Sequence, residues 1–522
     1  MHTEHIKKVF QIWLLIACFI PLIGYGQINV VADKATATYE VGELMNFNVS
    51  SDYTGTAQYS IKLDIRSPAI EQGNIELLAG QIVQIPYVHD EPAFLLCEVV
   101  GPNTSVAGAA VSPLDLQPME LEPADFDQFW NEQKNLINNT PIDPRITPFS
   151  STGKSDTYRL NLGNIEGRRV HGYISVPKGN GPFPAFLTMP SFGSDANHVI
   201  SREFDAEILN SIIVVLSIHN VPADETDPNA YTPDEFDNQY RNYYRYGLLG
   251  GIQAINYLYT RPDFDKVNLG VMGISQGGGL SISMAGLDDR IKVLVASVPA
   301  LCHHSGYHYD RTSGHPHYLF KSRTSFAFDP SHEQRALSAT RYFDAVFHAR
   351  RYNGPSLFFV SYEDDVCPPA SVLTAINQLE KNKLIYYRRD FGHANPDYWD
   401  KRFEFIRSFM PSTKNTLTIN APTNTGYSSN ILTSSNRIAV GESIQLNAEV
   451  FLDDIRVNLP IRWDKSSGPG RVQFSNINTS STSVSFDSPG TYVIKFVADD
   501  LSTLGNDDRW ISIIDFIEVI VE

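Results

Sequence analysis

The stretch that decides the fold reads Gly270-Val271-Met272-Gly273-Ile274-Ser275-Gln276-Gly277-Gly278-Gly279. An apolar run, Val267-Asn268-Leu269, leads into it, and a helix-like run, Gly278–Leu287, leads out. A short apolar run bounded by glycines reads as a buried strand. Gly-x-Ser-x-Gly between a strand and a helix is the spacing of a nucleophile elbow. The reason is steric: a serine on a strained turn needs glycines two before and two after it, so that strand and helix can approach. The turn lifts the Ser275 hydroxyl above the sheet and aims the N–H of Gln276 at the same point. A serine hydroxyl is a weak nucleophile until a base within hydrogen-bond reach takes its proton. The rest of the chain must therefore supply a histidine and an acid.

In chains built on such an elbow the order is nucleophile, acid, histidine, with the last two on loops after later strands. The strand-like Ser356–Ser361 runs into Tyr362-Glu363-Asp364-Asp365. Three carboxylates compete there for the acid's place: Asp364 is favoured, with Asp365 and Glu363 as alternatives. The strand-like Leu384–Arg389 runs into Asp390-Phe391-Gly392-His393, where Gly392 gives the loop freedom to swing His393 over the serine.

Outward from the elbow, strands and helices alternate. Thr157–Leu162 and Val170–Val176 read as a hairpin pair, and Phe183–Met189 and Ser211–Ile218 as strands. Gln239–Tyr259 reads as a helix with Leu248, Ile252, Ile255 and Tyr259 on one face. Strand Ile291–Ala300, helix Glu333–Arg350, strand Pro355–Ser361, helix Ala370–Lys381, strand Lys383–Phe391 and helix Asp397–Phe409 follow. Such repetition implies a parallel sheet covered on both faces. Before it, residues 27–116 alternate in strands such as Leu44–Val49 and Phe94–Val100, separated by turns. Beyond Pro411 the composition shifts to Ser, Thr and Asn, again with alternating strands. The fold class is therefore an α/β-hydrolase core, 117–411, between two all-β sandwiches, 27–116 and 412–522. The proline-spaced Pro113–Pro123 and the polar Ser412–Thr418 read as seams, so a fragment 120–411 is expected to act on a small ester.

At 522 residues the chain is too long for one core. A net charge of −18 argues against nucleic acid and against a polybasic membrane attachment. Lys7 and Lys8 precede an apolar run, Phe10–Ile23, that is short for a membrane span, so residues 1–26 read as a secretory signal. Leu15-Ile16-Ala17-Cys18 resembles a lipoprotein box, but apolar residues continue past Cys18 and make that the lesser reading. The expected location is periplasmic or secreted, without stable membrane insertion. Cys97, Cys302 and Cys367 remain after cleavage, an odd number, so disulfides are not the main staple.

The segment from Asp125 to about Met410 resembles the acetyl xylan esterase/cephalosporin C deacetylase family, carbohydrate esterase family seven. The resemblance is carried by Pro123–Trp130, Arg261-Pro262-Asp263-Phe264-Asp265, Gly273–Gly278, Leu287–Arg290, Val298–Cys302 and Tyr342-Phe343-Asp344. Asp364-Asp365-Val366-Cys367-Pro368-Pro369 and Gly392-His393 complete it. The family's acid stands three residues before its Cys-Pro-Pro, which implies Asp364. Its second oxyanion donor lies in a Gly-Tyr turn after the third strand. Here that turn is Pro190-Ser191-Phe192-Gly193, which implies the N–H of Phe192 beside that of Gln276. Where the family carries Arg-Gly-Gln, this chain has His219-Asn220-Val221-Pro222, a change that bears on loop geometry and on the homo-oligomer the family suggests.

The C-terminal segment resembles immunoglobulin-like or PKD-like modules of secreted glycan-active enzymes, through Trp463–Gly470 and Ser488–Tyr492. The loop 303–318, with His303, His304, His308, His315 and His317, matches no common metal spacing. It reads better as a cleft loop whose aromatics could stack on a sugar. The resemblance implies a serine esterase that deacetylates oligo- or polysaccharide, with no metal or other cofactor. The alternatives are another secreted acyl hydrolase, such as a peptidase, and a glycan-binding protein with an inert hydrolase domain.

Overall fold

The computed structural model describes residues 27–192, 203, 205–221, 237–309, 330–380, 383–388, 392–393, 399–409, 427–452, 455–467, 469–500 and 509–522, apart from 35 and 434. The expected signal segment and Cys18 lie outside these residues. Six parallel strands form the centre of a 13-stranded sheet. In spatial order they are Ile212–Ser217, Phe183–Met189, Phe264–Ile274, Val293–Ser297, Ser356–Ser361 and Lys383–Arg388. Four of these six are buried at every residue, because both faces are covered. Phe183–Met189 has the next strand in sequence on one side and the elbow strand on the other. That reversal of strand order opens a crevice at the carboxyl ends of the strands, where α/β folds bind ligands. Antiparallel strands Arg169–Pro177, Ser155–Gly163 and Arg145–Ser151 continue the sheet to one edge.

The helices start and stop for local reasons. The helix expected from Gln239 begins at Tyr243, because Asn242 caps it by accepting from the N–H of Tyr244. The helix expected over Glu333–Arg350 is broken into Pro330–Thr340, a tight turn Arg341–Phe343, and Ala345–Ala349. Asp344 takes an extended conformation there, and its carboxylate caps the new helix through Val346 N–H. The helix expected to run to Lys381 ends at Ile376.

Each β-rich flank has its own apolar cluster. In the N-terminal one, Val30, Phe47, Val49, Ile61, Leu95 and Val99 pack between a three-stranded and a five-stranded sheet. In the C-terminal one, Leu446, Val484, Trp463, Tyr492, Phe496 and Val519 pack together. The sheets, however, do not stop at 411. The last strand, Arg509–Val521, pairs antiparallel with Lys383–Arg388, from Lys383 opposite Ser512 to Tyr386 opposite Arg509. Strands Gly490–Asp500 and Ile461–Ser467 then carry the hydrolase sheet on into the C-terminal flank. The hydrolase sheet is thus hydrogen-bonded to strands that lie far beyond Pro411 in the sequence. Among the described residues, no helix is long and apolar enough to cross a membrane.

Candidate active site

The elbow has the strained geometry that its spacing implies. Ser275 sits at φ 58° and ψ −122°, between strand Phe264–Ile274 and helix Gln276–Leu287. Such a conformation costs a non-glycine residue about 1–3 kcal/mol, so its surroundings must hold it. A Cβ on Gly273 would lie 2.3 Å from the carbonyl of Gly277, and one on Gly277 would lie 2.3 Å from the carbonyl oxygen of Met189. Neither glycine can therefore carry a side chain. The turn is fastened to the neighbouring strand: Ser275 N–H donates to Ser297 O at 2.9 Å, and Ala300 N–H donates to Ser275 O at 2.8 Å.

The structure brings Ser275, His393 and Asp364 together. His393 Nε2 lies 3.0 Å from Ser275 Oγ, and its Nδ1 lies 2.9 and 3.0 Å from the two oxygens of Asp364. A carboxylate only accepts, so Nδ1 carries the proton and Nε2 is left to accept from the serine. The Asp364 side chain is fully buried and also accepts from the N–H groups of Val366 (2.9 Å) and Cys367 (2.7 Å). Asp365 is half exposed and faces Arg66 at 3.9 Å. The two adjacent aspartates thus occupy different environments.

Gln276 follows Ser275 directly, and the turn that ends in Phe192 is bonded through Ser191 to Ile274, the residue before the serine. Gln276 opens the elbow helix, whose amino end carries a partial positive charge suited to an anion. Phe192 is 42% exposed in the turn after Phe183–Met189, and Gly193 lies outside the described residues. Two contacts that residue spacing does not announce hold this turn to the elbow, and a third ties the elbow to the helix Tyr243–Thr260. The buried Gln276 side chain donates to Pro190 O (3.3 Å) and accepts from Tyr244 O–H (3.0 Å), while Ser191 O–H donates to Ile274 O (3.1 Å). Tyr244 falls within the helix expected over Gln239–Tyr259, where the residue pattern assigns it no role.

The changed loop after strand Ile212–Ser217 is tied down locally. His219 Nδ1 is hydrogen-bonded to Tyr243 O–H, and Asn220 Oδ1 accepts from Arg169 N–H. Pro222 lies outside the described residues. In the histidine-rich loop, His303 and His304 are buried, and both donate main-chain N–H to Asp344, at 2.8 and 2.7 Å. His303 Nε2 also accepts from Met119 N–H. These two residues are held by Met119, Thr340 and Asp344, all outside the loop, while His315, His317 and Tyr318 lie outside the described residues. Asp364, Cys367 and His393 place their donor atoms within 4.8 Å of one another, the spacing a metal would need. Asp364 is already engaged there by two N–H groups and His393.

A cavity of about 400 Å³, lined by Lys134, Asn256, Arg290 and Arg351 among others, lies at the opposite end of the elbow helix. Its arginines are paired, Arg290 with Asp288 and Arg351 with Glu122 and Asp127.

Residues 114–216 and 220–409 match the model of the acetyl xylan esterase family (AXE1). The chain belongs to this family. The match is interrupted only around His219, where the loop departs from the family pattern. Acetyl esterase Axe7A of Xylanibacter ruminicola is 29% identical over 362 residues, covering 65% of this chain and 81% of that protein. The acetyl xylan esterase from Paenibacillus sp. R4 shares the fold, with a TM-score of 0.51 at 23% identity over 57% of this chain and 98% of that one. This acetyl xylan esterase family member is a carboxylic ester hydrolase with an α/β-hydrolase core, and its class of reaction is carbohydrate deacetylation.

Proposed function

We propose that the chain removes acetyl groups from acetylated oligo- or polysaccharide through an acetyl-enzyme on Ser275. The observation that carries this reading is the hydrogen-bonded line from Ser275 Oγ through His393 to Asp364. Ser275 attacks the ester carbonyl as His393 Nε2 takes its proton, and Asp364 holds the ring in the tautomer that accepts at Nε2. The oxyanion is stabilised by the N–H groups of Gln276 and Phe192, each contributing about 3 kcal/mol in an aimed site. Tyr to Phe at the second position loses nothing, since only the main chain is used. His393 then protonates the departing sugar oxygen, and water clears the acetyl group by the same path reversed.

Residues 1–26 are read as a secretory signal, and the remainder as modules 27–116, 117–411 and 412–522, a division supported by the separate apolar clusters of the two flanks. The test is Ser275→Ala, assayed on p-nitrophenyl acetate and by acetate release from a panel of acetylated glycans. Turnover falls by at least about 10⁴-fold with the circular dichroism unchanged. Wild-type turnover in that variant would remove the mechanism.

A further inference from the structure

Strand Ala93–Val100 of the N-terminal flank is buried on both faces along most of its length. Ala93, Leu95, Cys97 and Val99 point into the flank's own core, while Phe94 points the other way, into the hydrolase core. On the neighbouring strand Thr104–Val111, the residues Ala107, Ala109 and Val111 point inward and Ala110 joins Phe94. Phe94 stands opposite Ala110, and Leu96 opposite Gly108, so the outer face offers one ring beside two nearly bare positions.

Tyr362 fills that space. Its ring meets Phe94 edge-on, with centroids 4.5 Å apart at 89°. A Cβ on Gly108 would lie 3.0 Å from both Cβ and Cδ2 of Tyr362, tighter than an ordinary contact. Tyr362 follows strand Ser356–Ser361 directly and precedes Asp364 by two residues. Its N–H donates to Arg388 O at 2.9 Å, at the end of the strand that leads toward His393. Its ring also meets Tyr387 edge-on at 5.4 Å. A line of three rings therefore runs from the N-terminal flank to both strands that present the Asp364–His393 pair.

We propose that the N-terminal sandwich is a positioning part of the reaction centre: the face formed by Phe94 and Gly108 seats Tyr362 and so sets the loop that holds Asp364 against His393. This rests on the reading of Asp364 as the acid. An error of about 1 Å in such a pair can lower turnover on the order of a hundredfold, so a remote seat matters. The seat acts on kcat and not on substrate binding, because Phe94 and Gly108 lie behind the acid loop.

The full-length protein tests it through Phe94→Ala and Gly108→Val, with Gly108→Ala as the milder change if the valine fails to fold. Val49→Ala is the control, since Val49 lies in the flank's own core on the other sheet. On p-nitrophenyl acetate, the two seat variants lose on the order of tenfold or more in kcat with KM unchanged, while Val49→Ala keeps its kcat. In an Asp364→Asn background, Phe94→Ala costs less than about twofold further, because coupled residues are not additive. Folded seat variants with wild-type kcat, an equal loss in Val49→Ala, or an undiminished loss in the Asp364→Asn background would each overturn the proposal. Near-wild-type turnover of Asp364→Asn itself would instead overturn the acid assignment on which the proposal stands.

Discussion

The two β-sandwiches reach the same side of the hydrolase by different means. The N-terminal one docks through side chains: Phe94 on Tyr362, Arg66 opposite Asp365, and linker carbonyls of Pro113 and Leu116 held by Asn377. The C-terminal one docks through main chain, its last strand extending the hydrolase sheet beside Lys383–Arg388. The difference is physical. A side-chain interface depends on which residues meet, so single substitutions can loosen it. A strand ladder uses N–H and C=O groups that nearly every residue carries, so it is insensitive to identity and lost only when the strand is removed.

The largest expected effect follows from removing that strand. Deleting residues 412–522 uncovers the edge at Lys383–Arg388 and the side chain of Leu384, which packs against the C-terminal cluster. An uncovered edge on the very strand that leads toward His393 invites association between chains. The fragment is expected to aggregate or to lose nearly all turnover, as read by size-exclusion chromatography and p-nitrophenyl acetate. A soluble monomer with wild-type turnover would break the comparison and restore the independent fragment that the polar seam suggests.

A smaller effect tests whether the flanks unfold with the core between them. His348 is fully buried against Phe126 and Trp130, and its Nε2 lies 3.1 Å from Tyr342 O. Burial first, and Arg351 second, push its pKa down to about 3. The unfolded chain, with an ordinary histidine near 6.5, binds the proton that the folded chain refuses between those values. This contribution to stability is therefore complete above about pH 6.5 and falls as pH drops toward 3, by about 2 kcal/mol at pH 5. Urea unfolding at pH 7 and pH 5 measures it, and His348→Gln should flatten the slope. If the flanks share the core's transition, their far-ultraviolet signal moves with it. A separate, pH-insensitive transition would show that docking does not couple them.

The smallest effect belongs to the N-terminal linker. Asn377 donates at 2.8 and 3.1 Å to the carbonyls of Pro113 and Leu116. Asn377→Ala should cost about 1 kcal/mol in thermal or urea unfolding and leave kcat unchanged. A larger loss with reduced kcat would mean that the linker shares the positioning role assigned to the Phe94 face.

Much of the core was legible because its signals are local. The elbow glycines are dictated by contacts among residues a few positions apart, and the buried parallel strands announce themselves as apolar runs. Other features left weaker traces. Arg145–Ser151 is an exposed edge strand containing Pro148, with no alternation to read. The break at Asp344 depends on a carboxylate that caps the following helix and also holds two N–H groups of a distant loop. The Tyr244–Gln276–Pro190 contacts join three separate segments, and no spacing reports them.

The sequence by itself determined the α/β-hydrolase class and the β character of both flanks, because periodicity and turn sterics act over a few residues, and it offered Ser275, Asp364 and His393 as the candidate site. Only the tertiary structure decided that Asp364 is buried against His393 while its neighbour Asp365 faces Arg66. It alone decided that Gly108 lies close against the Tyr362 ring, and that the sheet runs on through residue 509 and beyond. Those outcomes depend on which surfaces meet across hundreds of residues, and main-chain pairing in particular leaves almost no mark on the residues that make it.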